Sequence, residues 1–201
     1  MKLYIARHGE TEWNSEGKMQ GWMDSKLSPK GISNAVKLGQ NLNHIDFDLV
    51  CCSPLGRAIE TATHILGNKK TLIVYNNAFK EMGFGTWEGM YHDDIKAQYT
   101  ERQYNFWNAP HLYEPIDGES YEIFIARVKI GFESLIQNAN CKNLLLVTHA
   151  VVIKAIFSII EKRSLESFWA PPFTYDTCLS ILEVENGEIR VLQEPSISHL
   201  E

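Results

Sequence analysis

Residues 143–161 read NLLLVTHAVVIKAIFSIIE. The first six form a short, continuous apolar run, the pattern of a strand covered on both faces. His149 follows, and a helix-length apolar segment starts at once at Ala150. A strand that feeds directly into a helix is one half of a parallel β-α unit, and the rest of the chain repeats the alternation. Residues 2–7 (KLYIAR), 48–53 (DLVCCS) and 71–75 (TLIVY) read as further strands. Between them, Ser28-Pro29 caps and starts a helix carrying Ile32, Ala35, Leu38, Leu42 and Ile45. Pro54 opens a second helix with Ala58, Ile59, Ala62 and Ile65, stopped at Gly67. A longer helix over 119–139 carries Ile125, Val128, Phe132, Leu135 and Ile136.

Near the end, residues 178–185 and 188–193 flank Asn186-Gly187, a dipeptide suited to a two-residue hairpin turn. The expected fold is therefore α/β: a three-layer sandwich with a mainly parallel central sheet, one antiparallel edge hairpin and helices on both faces. No repeat or linker interrupts the chain, so residues 1–201 read as a single domain. Residues from about 77 to 118 break the alternation with a glycine-punctuated loop (83–89), a polar and aromatic helix (about 92–107) and a proline-bearing loop. That stretch reads as an insertion or lid over the sheet.

Composition narrows the function. The chain has 19 Lys+Arg against 25 Asp+Glu, a net charge of −6, and no basic run longer than two residues, which argues against a nucleic-acid partner. An anionic substrate would have to be drawn by a few local cations. No apolar run approaches 18 residues, and MKLYIARHGE is charged too early for a signal segment, so a cytoplasmic protein is expected. The four cysteines, at 51, 52, 141 and 178, match no zinc or CxxC spacing and are expected to be free thiols in a reducing compartment. Cys51 and Cys52, adjacent in a strand, must point to opposite faces.

Ligands of open α/β sheets bind beyond the carboxyl ends of the strands. There the first strand delivers Arg7 and His8, the second Ser53 and then Arg57, the third Glu81, and the 143–148 strand His149. Each alone would be unremarkable. Together they suit a phosphoryl group: two guanidiniums bind it bidentately, a helix N-terminus adds N–H donors, and neutral imidazole attacks phosphorus without a separate base. A second histidine can donate to the transferring oxygens, and a carboxyl group can protonate a leaving oxygen and then activate water.

The string Arg7-His8-Gly9-Glu10-Thr11-Glu12-Trp13-Asn14 resembles the RHGE(T/S)xWN signature of the histidine phosphatase, or phosphoglycerate mutase-like, superfamily. Gln20-Gly21, Leu27 to Gly31, Ser53-Pro54 to Arg57-Ala58, Glu60 to Ala62, Glu81, Trp87 to Gly89, Gly118 to Ser120 and Val147 to His149 follow in that family's order. Residues 106–115 and the tail SISHLE resemble its small bacterial broad-specificity phosphatases. The resemblance implies that His8 becomes a phosphohistidine, that Arg7, Arg57 and His149 form the phosphate pocket, and that Glu81 handles the proton. It further implies that Asn14, Gln20 and the Gly21 backbone line the pocket, with no metal and no organic cofactor. The family usually has glycine after the second histidine, where this chain has Ala150.

The expected activity is hydrolysis of a small-molecule phosphate ester, with no nucleic acid or membrane as partner. A cofactor-dependent phosphoglycerate mutase is the alternative within the family, although the 89–120 cover offers only Lys96 and Arg102 for a second phosphate. A non-catalytic phospho-ligand-binding protein is the alternative outside enzymes.

Overall fold

A computed structural model describes residues 1–201. Six strands, β1 (Lys2–Arg7), β2 (Leu49–Cys52), β3 (Ile73–Tyr75), β4 (Asn143–Thr148), β5 (Leu179–Glu185) and β6 (Glu188–Ser196), form one sheet in the order β3-β2-β4-β1-β5-β6. The first four strands pair in parallel, while β5 pairs antiparallel with both β1 and β6. The sheet is thus mostly parallel with an antiparallel edge pair. Asn186 (φ 51°) and Gly187 (φ 83°) make the β5–β6 turn in the left-handed region that the sequence anticipates.

Side-chain alternation along the strands builds a core on each face. Tyr4, Ala6, Val50, Cys52, Leu145 and Val147 face α2 (Pro29–Asn41) and α3 (Gly56–Leu66), meeting Leu38, Ala58, Ala62 and Ile65. Leu3, Ile5, Cys51, Leu144 and Leu146 face the other way, onto α6 (Tyr121–Asn138) and α7 (Ala150–Ile160), which supply Phe124, Val128, Phe132, Val152 and Ile156. Cys51 and Cys52 therefore do part to opposite cores. All four thiols are free, and burial pushes those of Cys51 and Cys52 up to about 12.

Ser28 caps α2 through the Gly31 N–H, with Pro29 in the first turn, and Gly67 (φ 55°) ends α3. Four details depart from the sequence reading. The loop after β1 contains a short helix, α1 (Glu12–Glu16), held by a reciprocal cap in which Thr11 Oγ1 accepts from the Asn14 N–H and Asn14 Oδ1 accepts from the Thr11 N–H. β3 is only three residues long, and β6 runs on to Ser196. The single helix expected over 92–107 divides into α4 (His92–Gln98) and α5 (Thr100–Asn108) at Tyr99 (φ −129°, ψ 43°), whose ring packs on Trp87. Residues 77–118 send Phe79, Met82, Phe84, Trp87, Ile95, Phe106 and Tyr113 into the larger core.

Candidate active site

Strand register brings the two histidines together. Arg7 is level with Thr148 across the β1–β4 pair, so His8 and His149 each stand one residue beyond neighbouring parallel strands. Their ring centroids are 5.1 Å apart. Arg57 enters from the first turn of α3 and Glu81 from the loop after β3.

His8 is buried and held by two hydrogen bonds. Its Nδ1 lies 2.7 Å from the carbonyl oxygen of Gly9, which can only accept, so the proton sits on Nδ1. Nε2 is left with its lone pair and accepts from Arg57 Nε at 3.3 Å. Burial, reinforced by the Arg57 and Arg7 charges, holds the His8 pKa well below the usual histidine range. At neutral pH the ring is uncharged, with one specified nitrogen free to act.

Arg57 is 1% exposed, and its orientation is fully determined. Nη1 donates to Met23 O and Asp24 Oδ1, both at 2.9 Å, and Nη2 to Gly21 O at 2.8 Å. The Asp24 carboxylate also takes the Arg57 backbone N–H. Arg7 is fixed by an ion pair to Asp176 at 2.8 Å and a hydrogen bond to Thr174 O, while its buried Nε has no protein partner.

Glu81 is buried beside these cations. Oε1 accepts from the Met82 N–H at 2.9 Å, and Oε2 from the Val151 N–H in the first turn of α7 at 3.4 Å. Burial raises its pKa, outweighing the opposing pull of the Met82 N–H and Arg57. His149 is fully buried, behind the cleft wall. Its Nε2 meets Ser53 Oγ at 2.7 Å, and Nδ1 has no partner. Burial, then Arg57 and His8, lower its pKa well below the usual range.

The cleft has a volume of about 410 Å³. Its polar part includes Arg7, His8, Asn14, Gln20, Gly21, Arg57 and Glu81, seven of the eight residues singled out from sequence, together with Lys18, His92, Lys154 and Thr174. The eighth, His149, is represented at the wall by the next residue, Ala150. The apolar part is an aromatic group, with Phe106, Trp107 and Trp169 in mutual contact. No group of three or more His, Cys, Asp or Glu side chains is placed to hold a metal ion.

Several site residues were not legible as such. Asp24 and Asp176 orient the two arginines through contacts that sequence spacing does not specify. Arg127 binds the Glu119 carboxylate at 2.6 Å and donates to the carbonyls of Ala78, Lys80 and Glu81, fixing the loop that carries Glu81. Trp22 Nε1 donates to the same Glu81 carbonyl. Ser53 was visible at a strand end, but its partnership with His149 was not.

Gly21 illustrates how tightly the loop is built. Its φ is +59°, and a Cβ there would lie 2.2 Å from Glu88 Oε1, which accepts from the N–H groups of Trp22 and Phe84. Gly21→Ala is expected to destabilise the protein by about 2–3 kcal/mol, from left-handed strain and disturbed hydrogen bonds. Denaturant unfolding measures it; an unchanged midpoint would show that Glu88 can move aside freely.

Comparison with known proteins follows the same outline. Residues 3–194 match the family described as histidine phosphatase superfamily (branch 1). The chain is 30% identical over 200 residues to the adenosylcobalamin/alpha-ribazole phosphatase of Escherichia coli K12, covering 98% of each. It is 31% identical over 171 residues to the 2,3-bisphosphoglycerate-dependent phosphoglycerate mutase of Bartonella bacilliformis, covering 82% of this chain and 83% of that one. Among solved structures it is similar to Bacillus stearothermophilus YhfR, with a TM-score of 0.96 and 37% identity over 100% of this chain and 99% of that one. The matched segment runs from β1 into β6, and the chain belongs to the histidine phosphatase superfamily, branch 1.

Proposed function

We propose that this chain is a phosphatase that hydrolyses phosphate monoesters of small organic molecules through a phosphohistidine on His8. The observation that carries the reading is the His8 ring: neutral, with its proton committed to the Gly9 carbonyl and an unprotonated Nε2, met only by a long contact from Arg57 Nε, in a pocket walled by two arginines. The phosphoryl group docks against Arg7, Arg57, Asn14, Gln20 and the Gly21 backbone, and His8 Nε2 attacks phosphorus. Glu81 protonates the departing oxygen, then takes a proton from the water that hydrolyses the phosphohistidine. His149, whose Nε2 is held by Ser53, keeps an unpartnered Nδ1 as the donor to the phosphoryl oxygens. Residues 77–118 form the lid, and its aromatic side chains cover the organic part of the ester. An apolar wall recognises shape more than hydrogen-bonding pattern, which favours broad specificity.

The mutase reading is supported by the Bartonella relative, but the cleft is poorly furnished for a second phosphoryl group. Neither Lys96 nor Arg102 lines it; of the two lysines that do, Lys18 is paired with Glu16 at 2.7 Å and Lys154 already donates to two backbone carbonyls. A non-catalytic binding protein would not need a nucleophile and a buried acid poised together. Four free thiols fit a cytoplasmic setting, and no helix is long and apolar enough to cross a membrane.

The arginines supply the positive charge that a metal would otherwise provide, so the reaction needs none. Turnover of p-nitrophenyl phosphate is expected to persist unchanged after exhaustive chelation. No turnover at all would reject the phosphatase, and a loss restored by Mg²⁺ or Zn²⁺ would reject the metal-free mechanism.

A further inference from the structure

Helix α7 begins beside His149 and carries a single charged residue, Lys154, in a segment that is apolar apart from Ser158. The lysine is 2% exposed, yet it lines the cleft. Its Nζ donates to the carbonyls of Ala170 and Pro172 and forms none of the protein's salt bridges. Of the two nearest charges, Arg163 disfavours a second cation and Glu161 is only a weak counterweight. Arg163 donates to the same Ala170 carbonyl, and Glu161 is already paired with Arg163 at 2.5 Å. Burial, then Arg163, lower the Lys154 pKa to about 8, against the opposing pull of Glu161.

At neutral pH Lys154 is therefore a buried ammonium without a counter-anion. Such a charge is costly to keep unless something pairs with it. Two carbonyls occupy two of its three N–H donors, and the third has no hydrogen-bond acceptor in the protein. Clamping the 170–172 loop explains the two carbonyl bonds, but not a full positive charge at the wall of a substrate cleft.

Position supplies the rest. Ala150 and Lys154 both line the cleft, four residues apart on one helix face and so about 6 Å apart along the axis. Side chains on a helix lean towards its N-terminus, which here is the end beside His149 and Glu81. Phe173, whose ring centroid is 5.9 Å from Nζ, and the Trp107–Trp169 pair belong to the apolar part of the same cleft.

We propose that Lys154 is a specificity-determining residue that pairs with a carboxylate on the organic part of the ester, making phosphorylated carboxylic acids with a compact apolar body the preferred substrates. One ammonium with one open donor matches a carboxylate monoanion. A phosphoryl dianion needs the several donors found around His8. The inference rests on the phosphatase reading and refines it.

The test compares 4-(phosphonooxy)benzoate with 4-(phosphonooxy)benzamide, in wild type and in Lys154→Met. The quantity read is the ratio of kcat/KM for the acid to that for the amide, so that differences between the two leaving groups cancel between the proteins. Methionine is expected to lower that ratio by about 10- to 100-fold, the range of a charge-assisted hydrogen bond. A ratio unchanged by the substitution, however far both activities fall, would reduce Lys154 to a loop clamp and overturn the proposal. Should the variant not fold, wild type alone decides. The competitive inhibitor 4-(phosphonomethyl)benzoate is expected to bind at least about tenfold more tightly than its methyl ester, and equal inhibition overturns the proposal. Failure of the phosphatase reading looks different, because wild type would then turn over neither the acid nor the amide.

Discussion

His8→Ala is expected to abolish turnover, by about 10⁴-fold or more, while the protein keeps its fold. The fold should survive because the contacts that place residue 8 belong to its backbone. Its N–H donates to Thr148 O and its carbonyl accepts from the Thr177 N–H, both independent of the ring. Arg57 loses only the bond to Nε2 and keeps its contacts to Met23, Asp24 and Gly21. The phosphoryl pocket thus stays assembled around a missing nucleophile. Wild type, quenched during turnover, should carry an acid-labile, alkali-stable phosphoryl group that the variant lacks. Two successive displacements at phosphorus give net retention of configuration. Inversion in wild type would mean direct attack by water, and the phosphohistidine would have to be abandoned.

How much of this site was visible in the chain follows from where each residue lies. Arg7, His8 and His149 stand at or one residue beyond strand ends, Arg57 and Glu81 follow theirs by five and six residues, and strands of that type are conspicuous in sequence. Parallel pairing then forces residues at equivalent strand ends into proximity, as the Arg7–Thr148 register does for the two histidines. The supporting residues are different. Asp24 meets Arg57 across 33 positions and Arg127 meets the Glu81 carbonyl across 46, both from segments whose local pattern is that of an ordinary loop or an exposed helix face. Lys154 hides for the opposite reason, since a lone lysine in an apolar helix has the pattern of a side chain reaching out to solvent. The divided helix at Tyr99 was equally silent, because residues 92–107 contain no glycine or proline to mark a break. Tertiary packing against Trp87 accompanies it.

Glu81→Gln is expected to cut phosphoryl transfer from alkyl esters by about 10²–10⁴-fold while costing p-nitrophenyl phosphate less than about tenfold. Glutamine fits the same space and keeps an acceptor for the Met82 N–H, but it has no proton to give. An alkoxide departs with difficulty unless it is protonated; p-nitrophenolate leaves readily as the anion. Burial already raises the Glu81 pKa, and a phosphoryl dianion docked beside it raises it further, since a second negative charge disfavours ionisation. Both effects favour the acid form beside the bound ester. With alkyl esters, wild-type activity should fall as pH rises through the Glu81 pKa in the complex, because the proton is lost. It should fall again at low pH, where His8, whose pKa lies well below the usual range, is finally protonated and cannot attack. In Glu81→Gln the upper limb should vanish and the lower one persist. In the proposed mechanism Glu81 also serves the second step as base, so the comparison is read from the rate of phosphoenzyme formation in a single turnover. Equal losses on the two ester types in that measurement would show that Glu81 orients the pocket and does not transfer the proton.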